Sequence, residues 1–358
     1  MKSPRIFFSY FSKFTVVLFI LSINLFSALT TKAVDPSSNM DFDGDGKTDI
    51  AVYRPGERNV FPLPSSYFYV LSSQRNQLMS YQWGLAYDIH TPADYDGDGK
   101  TDVAVFRSIN SESNQSSKEF WINYSSGGHG VTPFSGFGNI VSRNYFGDQA
   151  AELAVFDRYD TSEDPVNPCF IMAFFILPAG NEFALKKDVI KDCMSEREYI
   201  TSAVGDYNND GKSDVAVFVQ NPSESPGQNH FNVWYSPVAP QYTPPDKVEF
   251  LDIDYPIPGD YDGDGKTDFA GSKNTDGWRH WRIKNSSTGN LFELWFGFYD
   301  DYPVPGDYDG DGKTDMAVFR PSNSTWYILR SSDGALDYKF FGFSTDIPLT
   351  LPNSNVYH

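Results

Sequence analysis

The chain has 358 residues, of which 40% are hydrophobic and 16% aromatic, so it can bury a large core. Its formal net charge of −19 disfavours nucleic acid or an anionic membrane surface as a partner. The sequence shows no long amphipathic helical pattern, which favours an all-β protein.

The N-terminal segment has the pattern of a targeting signal. Lys2, Arg5 and Lys13 accompany an apolar run over 14–29, and Ala33 offers a small side chain for cleavage. We therefore predict a signal peptide over 1–33, cleaved after Ala33, and one folded domain over 34–358. The run is short for a membrane span, so an uncleaved anchor is the alternative. These features predict a protein that is secreted or held at the cell surface, with no membrane span in the mature chain.

An acidic motif, DxDGDGKTD, comes next and recurs along the chain. The four copies called here the full loops are loop 1 (41–49), loop 2 (94–102), loop 5 (260–268) and loop 6 (307–315). Loop 4 (206–214) is a softer copy, and loop 3 (144–152) is a decayed one. A full loop has carboxylates at positions 1, 3, 5 and 9. Hard oxygen ligands at alternate positions of a tight turn can converge on one Ca²⁺, and the position-7 residue can add its backbone carbonyl.

This spacing predicts about five bound calcium ions, one in each loop except loop 3. The alternative for a single copy is a metal-free Asp-Gly turn between strands, which the recurrence of the same spacing disfavours. The predicted ligands are Asp41, Asp43, Asp45, Lys47 and Asp49 in loop 1; Asp94, Asp96, Asp98, Lys100 and Asp102 in loop 2; Asp206, Asn208, Asp210, Lys212 and Asp214 in loop 4; Asp260, Asp262, Asp264, Lys266 and Asp268 in loop 5; and Asp307, Asp309, Asp311, Lys313 and Asp315 in loop 6.

Two loops depart from the motif. In loop 3, Phe146 and Ala150 replace an aspartate and the lysine, and Gln149 replaces a glycine, so we expect no calcium there. In loop 4, Asn208 supplies a neutral oxygen in place of a carboxylate. Because ligand charge is one determinant of calcium affinity, loop 4 is expected to be the weakest of the five sites.

The residues after each loop distinguish the motif from an EF-hand. An EF-hand needs a bidentate glutamate at position 12 and a helix leaving the loop. Here position 12 is valine or glycine, and the exit sequences IAVYRP, VAVFRS, VAVFVQ and MAVFRP are typical of short β-strands. Each loop is therefore predicted to connect two strands of a β-hairpin.

The spacing of the loops predicts a β-propeller. The ninth loop residues are 53, 50, 62, 54 and 47 positions apart, a period typical of blades with four strands. Six loops favour six blades of four antiparallel strands, with seven blades as the alternative. The first blade lacks the short strand that precedes a loop, and DIPLTLPN (346–353) resembles that missing strand. The C-terminal strand is therefore predicted to close the first blade, with Ile347, Leu349 and Leu351 alternating inwards.

The only two cysteines, Cys169 and Cys193, both lie in the third blade. Their spacing fits no metal-ligand motif. In an exported chain, a disulfide between them is favoured over two free thiols.

The combination of DxDGDGKTD, AVFRP, FG and PxPGD elements resembles the FG-GAP/VCBS repeat of the integrin α-chain head and of many secreted bacterial proteins. The resemblance covers about residues 38–358. It implies a calcium-binding β-propeller of a functionally broad class that includes adhesion and carbohydrate binding. The integrin head has seven blades, whereas this chain shows six, so only the loop positions carry over.

The sequence contains no HExxH, GxSxG, Walker or CxxC motif, and its histidines are isolated from one another. This pattern predicts a binding or adhesion module for a glycan or protein ligand, without enzymatic activity and acting as a monomer. The alternative is an extracellular carbohydrate-active enzyme, such as a lyase, that uses the propeller cleft. Most tryptophans fall at repeating strand positions and are predicted to pack in the core. Trp278 lies outside that register and is the candidate for an exposed stacking residue.

Overall fold

The computed structural model describes residues 40–110, 116–134, 138–160, 170–177, 185–192, 199–220, 229–235 and 244–350. The predicted signal peptide over 1–33, the predicted disulfide between Cys169 and Cys193, and Leu351 lie outside the described residues and stay predictions. Within the described ranges, no helix is long and apolar enough to cross a membrane.

In this part of the chain, 24 strands form six four-stranded antiparallel sheets. The predicted all-β propeller with six blades is therefore confirmed, and the seven-bladed alternative is not. Blade 1 contains β1 (Ile50–Arg54), β2 (Ser65–Leu71), β3 (Leu78–Leu85) and β24 (Ile347–Pro348); blade 2 contains β4 (Ile89–His90), β5 (Val103–Asn110), β6 (Ser116–Asn123) and β7 (His129–Phe134); blade 3 contains β8 (Asn139–Ile140), β9 (Leu153–Asp160), β10 (Phe170–Leu177) and β11 (Leu185–Asp192).

The remaining blades repeat the same order of strands. Blade 4 contains β12 (Tyr199–Ser202), β13 (Val215–Gln220), β14 (His230–Trp234) and β15 (Lys247–Phe250); blade 5 contains β16 (Tyr255–Pro256), β17 (Phe269–Thr275), β18 (Trp278–Lys284) and β19 (Leu291–Phe298); blade 6 contains β20 (Tyr302–Pro303), β21 (Met316–Arg320), β22 (Thr325–Leu329) and β23 (Leu336–Phe340). Each blade runs from a short first strand to a fourth strand at the opposite edge.

The core lies between neighbouring blades. β2 alternates between buried and partly exposed residues, as expected for a strand with one face towards a core. β1 is buried on both faces because Ile50 and Val52 pack against Phe319 and Trp326 of blade 6. Each fully buried side chain of this kind contributes about 1.5–3 kcal/mol. A blade thus shares its core with its neighbours and depends on them for stability.

The ring closes through the C-terminal strand, as predicted. β24 pairs with β1 through Ile347 opposite Tyr53, and Leu349 is 2% exposed. Just before β24, the carboxylate of Asp346 accepts two hydrogen bonds from the Arg54 guanidinium, at 2.7 and 2.8 Å. Blade 1 is therefore completed by residues almost 300 positions away in the sequence.

Strand direction places two connections of each blade at the same end. In blades 2 to 6 the acidic loop joins the first and second strands, and in blade 1 it leads into the second strand, β1. In the four blades with a full loop, a short turn joins the third and fourth strands. Because successive strands are antiparallel, both connections lie at one end of the blade, which we call the acidic end. The connections between second and third strands, and those between blades, lie at the opposite end.

Candidate metal centres

A full loop is shaped by hydrogen bonds from backbone amides to its first carboxylate. In loop 6, the Asp307 carboxylate accepts hydrogen bonds from the amides of Gly310 (2.6 Å), Asp311 (3.2 Å) and Gly312 (2.9 Å). Gly310 and Gly312 have φ values of 79° and 84°, which favour glycine because other side chains are strained there. The peptide therefore wraps around the first carboxylate and brings the next two aspartates beside it.

Three of the carboxylates in each full loop converge. In every full loop, one oxygen from each of three aspartates lies within 4.8 Å of the other two. These groups are Asp41, Asp43 and Asp45; Asp94, Asp96 and Asp102; Asp260, Asp262 and Asp268; and Asp307, Asp309 and Asp311. Among the described residues, neither loop 3 nor loop 4 forms such a group. Loop 4 carries Asn208 at the third position, and loop 3 carries Phe146 there.

The turn between the third and fourth strands also belongs to each full loop. Its backbone amide donates a hydrogen bond to the ninth-position carboxylate. The donors and acceptors are Ser73 and Asp49 (2.6 Å), Ser125 and Asp102 (2.7 Å), Ser286 and Asp268 (2.6 Å), and Ser331 and Asp315 (2.6 Å). No role for these serines was predicted, although a Ser-Ser pair follows the third strand in all four of these blades.

The hydroxyls of this serine pair donate to the other carboxylates of the loop. In loop 6, Ser331 donates to Asp311 at 2.9 Å and Ser332 donates to Asp309 at 2.5 Å. The same arrangement occurs in loops 2 and 5, from Ser125 to Asp98, Ser126 to Asp96, Ser286 to Asp264 and Ser287 to Asp262. In loop 1 the order of the two serines is reversed, with Ser72 donating to Asp43 and Ser73 to Asp45. The serines therefore orient the carboxylates at positions 3 and 5 from the side.

Burial makes the charged form of several loop carboxylates unfavourable. Desolvation raises the pKa of Asp49 to about 6, that of Asp102 to about 7, and that of Asp268 to about 6. The pKa of Asp307 also rises to about 6, and the charges of its neighbours Asp315 and Asp311 add to the effect of its burial. A cation bound among these oxygens would offset both the burial and the mutual repulsion. The donor set of carboxylate oxygens thus fits a hard divalent cation.

The position-7 lysines send their side chains towards the preceding loop. A Cβ added at Gly310 of loop 6 would lie 2.8 Å from Cε of Lys47, and one added at Gly44 would lie 2.9 Å from Cε of Lys100. The same packing relates Lys313 to Gly263. That the lysine carbonyls act as metal ligands stays a prediction.

The tryptophans divide between core and surface. Trp234, Trp281 and Trp326 are buried, as predicted. Trp278 begins β18 at the end opposite the acidic loops, where it is 49% exposed and its ring lies 4.8 Å from that of Phe298. The core assignment for Trp295 is wrong, because this residue is 51% exposed and stacks on His280 at the outer edge of blade 5.

Comparisons with known proteins show no family for this chain. No protein-family model matches the chain, and no curated protein matches it. A solved structure of a 6-phosphogluconolactonase candidate from Bacteroides fragilis matches with 10% identity and a TM-score of 0.34, covering 85% of this chain and 96% of that one. A solved D477G ACO/RPE65 chimera matches with 12% identity and a TM-score of 0.37, covering 80% of this chain and 68% of that one.

One sequence-based expectation is corrected by these comparisons. The prediction that the protein is not an enzyme is contradicted, because the similar structures include a 6-phosphogluconolactonase candidate, and this prediction is withdrawn. The low identities and TM-scores assign no activity, substrate or site to this chain. The FG-GAP/VCBS resemblance rests on the loop motifs alone, whereas the six-bladed propeller that the motifs predict is present.

Proposed function

We propose that this protein is an exported propeller that binds Ca²⁺ in five of its six loops. The observation that carries the proposal is the convergence of three carboxylates in each of the four full loops. Metal-free aspartates this close repel one another, and several of them are buried as well. Calcium is favoured over magnesium because the loops offer many flexible carboxylate and carbonyl oxygens, whereas Mg²⁺ requires a tight octahedral set.

The proposed role of the bound ions is to stabilise the ring. Ions that bind the folded state alone stabilise it by mass action. An affinity of roughly 10⁻⁴ to 10⁻³ M would suffice outside a cell, and export agrees with the predicted signal peptide over 1–33. The acidic loops lie at one end of each blade, so the ions would stiffen that end and leave the opposite end available for a ligand.

We propose that a glycan or protein ligand binds at the end opposite the acidic loops. Trp278 supports this position because its half-exposed indole lies against Phe298, with exposed Tyr299 nearby in the sequence. An exposed aromatic ring offers a flat apolar face on which a sugar can stack. The alternative, an extracellular enzyme acting on a carbohydrate, differs only in whether the bound ligand is turned over.

Melting curves test the calcium proposal. We expect a clearly higher melting temperature in millimolar CaCl₂ than in EDTA, with a smaller increase in the same concentration of MgCl₂. Coincident curves in CaCl₂ and EDTA would overturn the proposal.

The ligand proposal is tested with a glycan array on the calcium-loaded protein. Trp278→Ala should remove binding, whereas Tyr338→Ala, a matched change of an exposed aromatic on β23, should not. Release of shorter sugars from the bound glycan would favour the enzyme, and unchanged binding by Trp278→Ala would exclude Trp278 from the site.

A further inference from the structure

The six acidic loops form one closed ring of hydrogen bonds. In each case, the backbone amide of position 8 in one loop donates to the backbone carbonyl of position 1 in the loop of the preceding blade. The donor and acceptor pairs are Thr101 and Asp41 (2.6 Å), Ala151 and Asp94 (2.6 Å), Ser213 and Asn144 (2.7 Å), Thr267 and Asp206 (2.7 Å), Thr314 and Asp260 (2.6 Å), and Thr48 and Asp307 (2.7 Å). The last of these pairs joins loop 1 to loop 6 and closes the ring.

Apart from the pairs of Ala151 and of Ser213, which join loop 3 to its neighbours, these hydrogen bonds connect two candidate metal centres directly. The acceptor carbonyl belongs to the first aspartate of one loop, whose carboxylate lies at the centre of the site. The donor amide lies between positions 7 and 9 of the next loop, and both positions are predicted ligands there. A change in the backbone of one loop on binding an ion therefore acts on the ligand residues of its neighbour, without any intervening side chain.

Side chains reinforce the same connection. The Lys47 ammonium of loop 1 donates a hydrogen bond of 2.7 Å to the carbonyl oxygen of Asp309 in loop 6, and its stem covers Gly310. In loop 4 the contact runs the other way, because Asn209 takes the place of the glycine and its amide donates to the Asp264 carbonyl of loop 5 at 3.2 Å. Neighbouring loops are thus in contact through both backbone and side chains.

We propose that the ions do not bind independently: each loop depends on the occupancy of the loops beside it. This inference rests on the calcium-binding function proposed above. Loop 3 lacks the ligand set, so the five remaining loops form an uninterrupted run in the order 4, 5, 6, 1, 2. Loop 6 then has a metal-binding neighbour on each side, whereas loop 2 has such a neighbour on one side only. A change in loop 6 should therefore affect calcium binding in two neighbouring loops, and a change in loop 2 in only one. Independent sites would show no such difference.

Hydrogen exchange of the full-length protein, followed by mass spectrometry during a calcium titration, tests this inference loop by loop. The loop amides that donate to carboxylates, such as those of Gly310 and Gly312, report ion binding in their own loop. Asp309→Asn removes one charged ligand from loop 6 but keeps an oxygen that can accept a hydrogen bond. Asp96→Asn is the matched change at the same position of loop 2.

We expect Asp309→Asn to raise the calcium concentration for half-protection of both loop 5 and loop 1, each by at least about fivefold. Asp96→Asn, outside loop 2 itself, should raise this concentration most for loop 1, less for loop 6 and least for loop 5, which lies farthest from it in the run. Unchanged midpoints in both neighbours of loop 6 would show that the sites are independent and would overturn the inference, while calcium binding would stand. A wild-type protein whose loops gain no protection with calcium would instead refute the calcium proposal itself.

A second variant tests the side-chain contact without altering any carboxylate. Lys47→Met keeps the aliphatic stem against Gly310 and removes the ammonium that donates to the Asp309 carbonyl. The calcium concentration for half-protection of loop 6 should rise, although the substitution is in loop 1. If only the midpoint of loop 1 moves, the contact does not transmit between loops and the inference fails.

Discussion

Loop 6 and loop 3 follow the same backbone path, although only loop 6 carries the ligand set. In loop 6, the Asp307 carboxylate accepts a hydrogen bond of 2.6 Å from the Gly310 amide. In loop 3, the side-chain oxygen of Asn144 accepts one of the same length from Gly147. A neutral amide therefore replaces the first carboxylate without loss of the turn.

The hydrogen bonds to the ninth-position carboxylates are also alike in the two loops. The Tyr308 amide donates to Asp315 at 2.9 Å, and the Tyr145 amide donates to Glu152 at 2.6 Å. The backbone hydrogen bonds to the neighbouring loops are also present on both sides of loop 3. The loop conformation is thus determined by positions 1, 2, 4 and 9 and by the ring. Loop 3 has Phe146 at position 3, so the carboxylate there adds repulsion that the turn does not need, which supports a cation as the reason for it.

Opening the ring should have the largest effect, because it affects loops of both kinds. Deleting residues 345–358 removes β24, the Asp346 partner of Arg54, and the buried Leu349. It leaves the core of blade 1 exposed and β1 unpaired on one side. We expect aggregation, or a loss of more than about 4 kcal/mol in the free energy of unfolding.

Deleting only residues 356–358 is the control and should leave the melting temperature unchanged. Denaturant unfolding of the two truncated proteins makes the comparison. If the longer deletion unfolds like the full-length protein, the closure through β24 does not stabilise the ring.

Changing one carboxylate in each kind of loop distinguishes its contribution to metal binding from its contribution to the stability of the fold. Asp264→Ala should remove one ion from loop 5 and cost about 1–3 kcal/mol at millimolar calcium, as expected from mass action. Asp148→Ala, at the same position of loop 3, should remove no ion and leave the calcium-dependent stability unchanged. Elemental analysis of bound calcium, with melting curves of both variants, checks this. Loss of an ion from the Asp148 variant would show that loop 3 is a metal site.

The serine pairs should have a smaller effect, again confined to the full loops. Changing Ser331 and Ser332 to alanine removes two hydroxyl donors to Asp311 and Asp309, while the backbone amide to Asp315 remains. We expect a cost of about 0.5–1.5 kcal/mol for each lost hydrogen bond in calcium-free protein. Ser80→Ala, on the exposed face of β3, is the control. Equal stability of the double variant and the control would show that the serine hydroxyls do not stabilise the loops.

Calcium should stabilise the protein more at pH 8 than at pH 5. Burial raises the pKa of Asp49 to about 6 and that of Asp102 to about 7, above their values in the unfolded chain. These carboxyls therefore favour the calcium-free fold at low pH, and this contribution is lost as the pH rises through the raised pKa values. Calcium binding to the ionised groups then compensates for the loss. Melting temperatures with and without calcium test this, and a difference that shrinks between pH 5 and pH 8 would contradict it.

The repeat allowed much of the fold to be predicted. The spacing of the loops gave six blades, and the likeness of residues 346–353 to the strand before each loop predicted how the ring closes. The clustering of Asp307, Asp309 and Asp311 followed from their alternation along a tight turn. Such features are local, or repeat with the blade, so a single chain contains several copies of the signal.

Contacts between elements were harder to predict. The serine pairs are visible as a repeated dipeptide, but only the antiparallel strand order shows that their turn meets the acidic loop. The hydrogen bond from Thr48 to Asp307 joins residues far apart in the chain, and no spacing within one repeat encodes it. Trp295 was misassigned because it lies in a strand that repeats from blade to blade, but that strand is the outer edge of blade 5.

The calcium content of the full-length protein tests the central claim most directly. Equilibrium dialysis against calcium, followed by elemental analysis, should give five ions per chain at saturation, with loop 4 filling last because Asn208 replaces a carboxylate. No bound calcium at millimolar concentration would contradict the account, and six ions would show that the ligand set of loop 3 is sufficient after all.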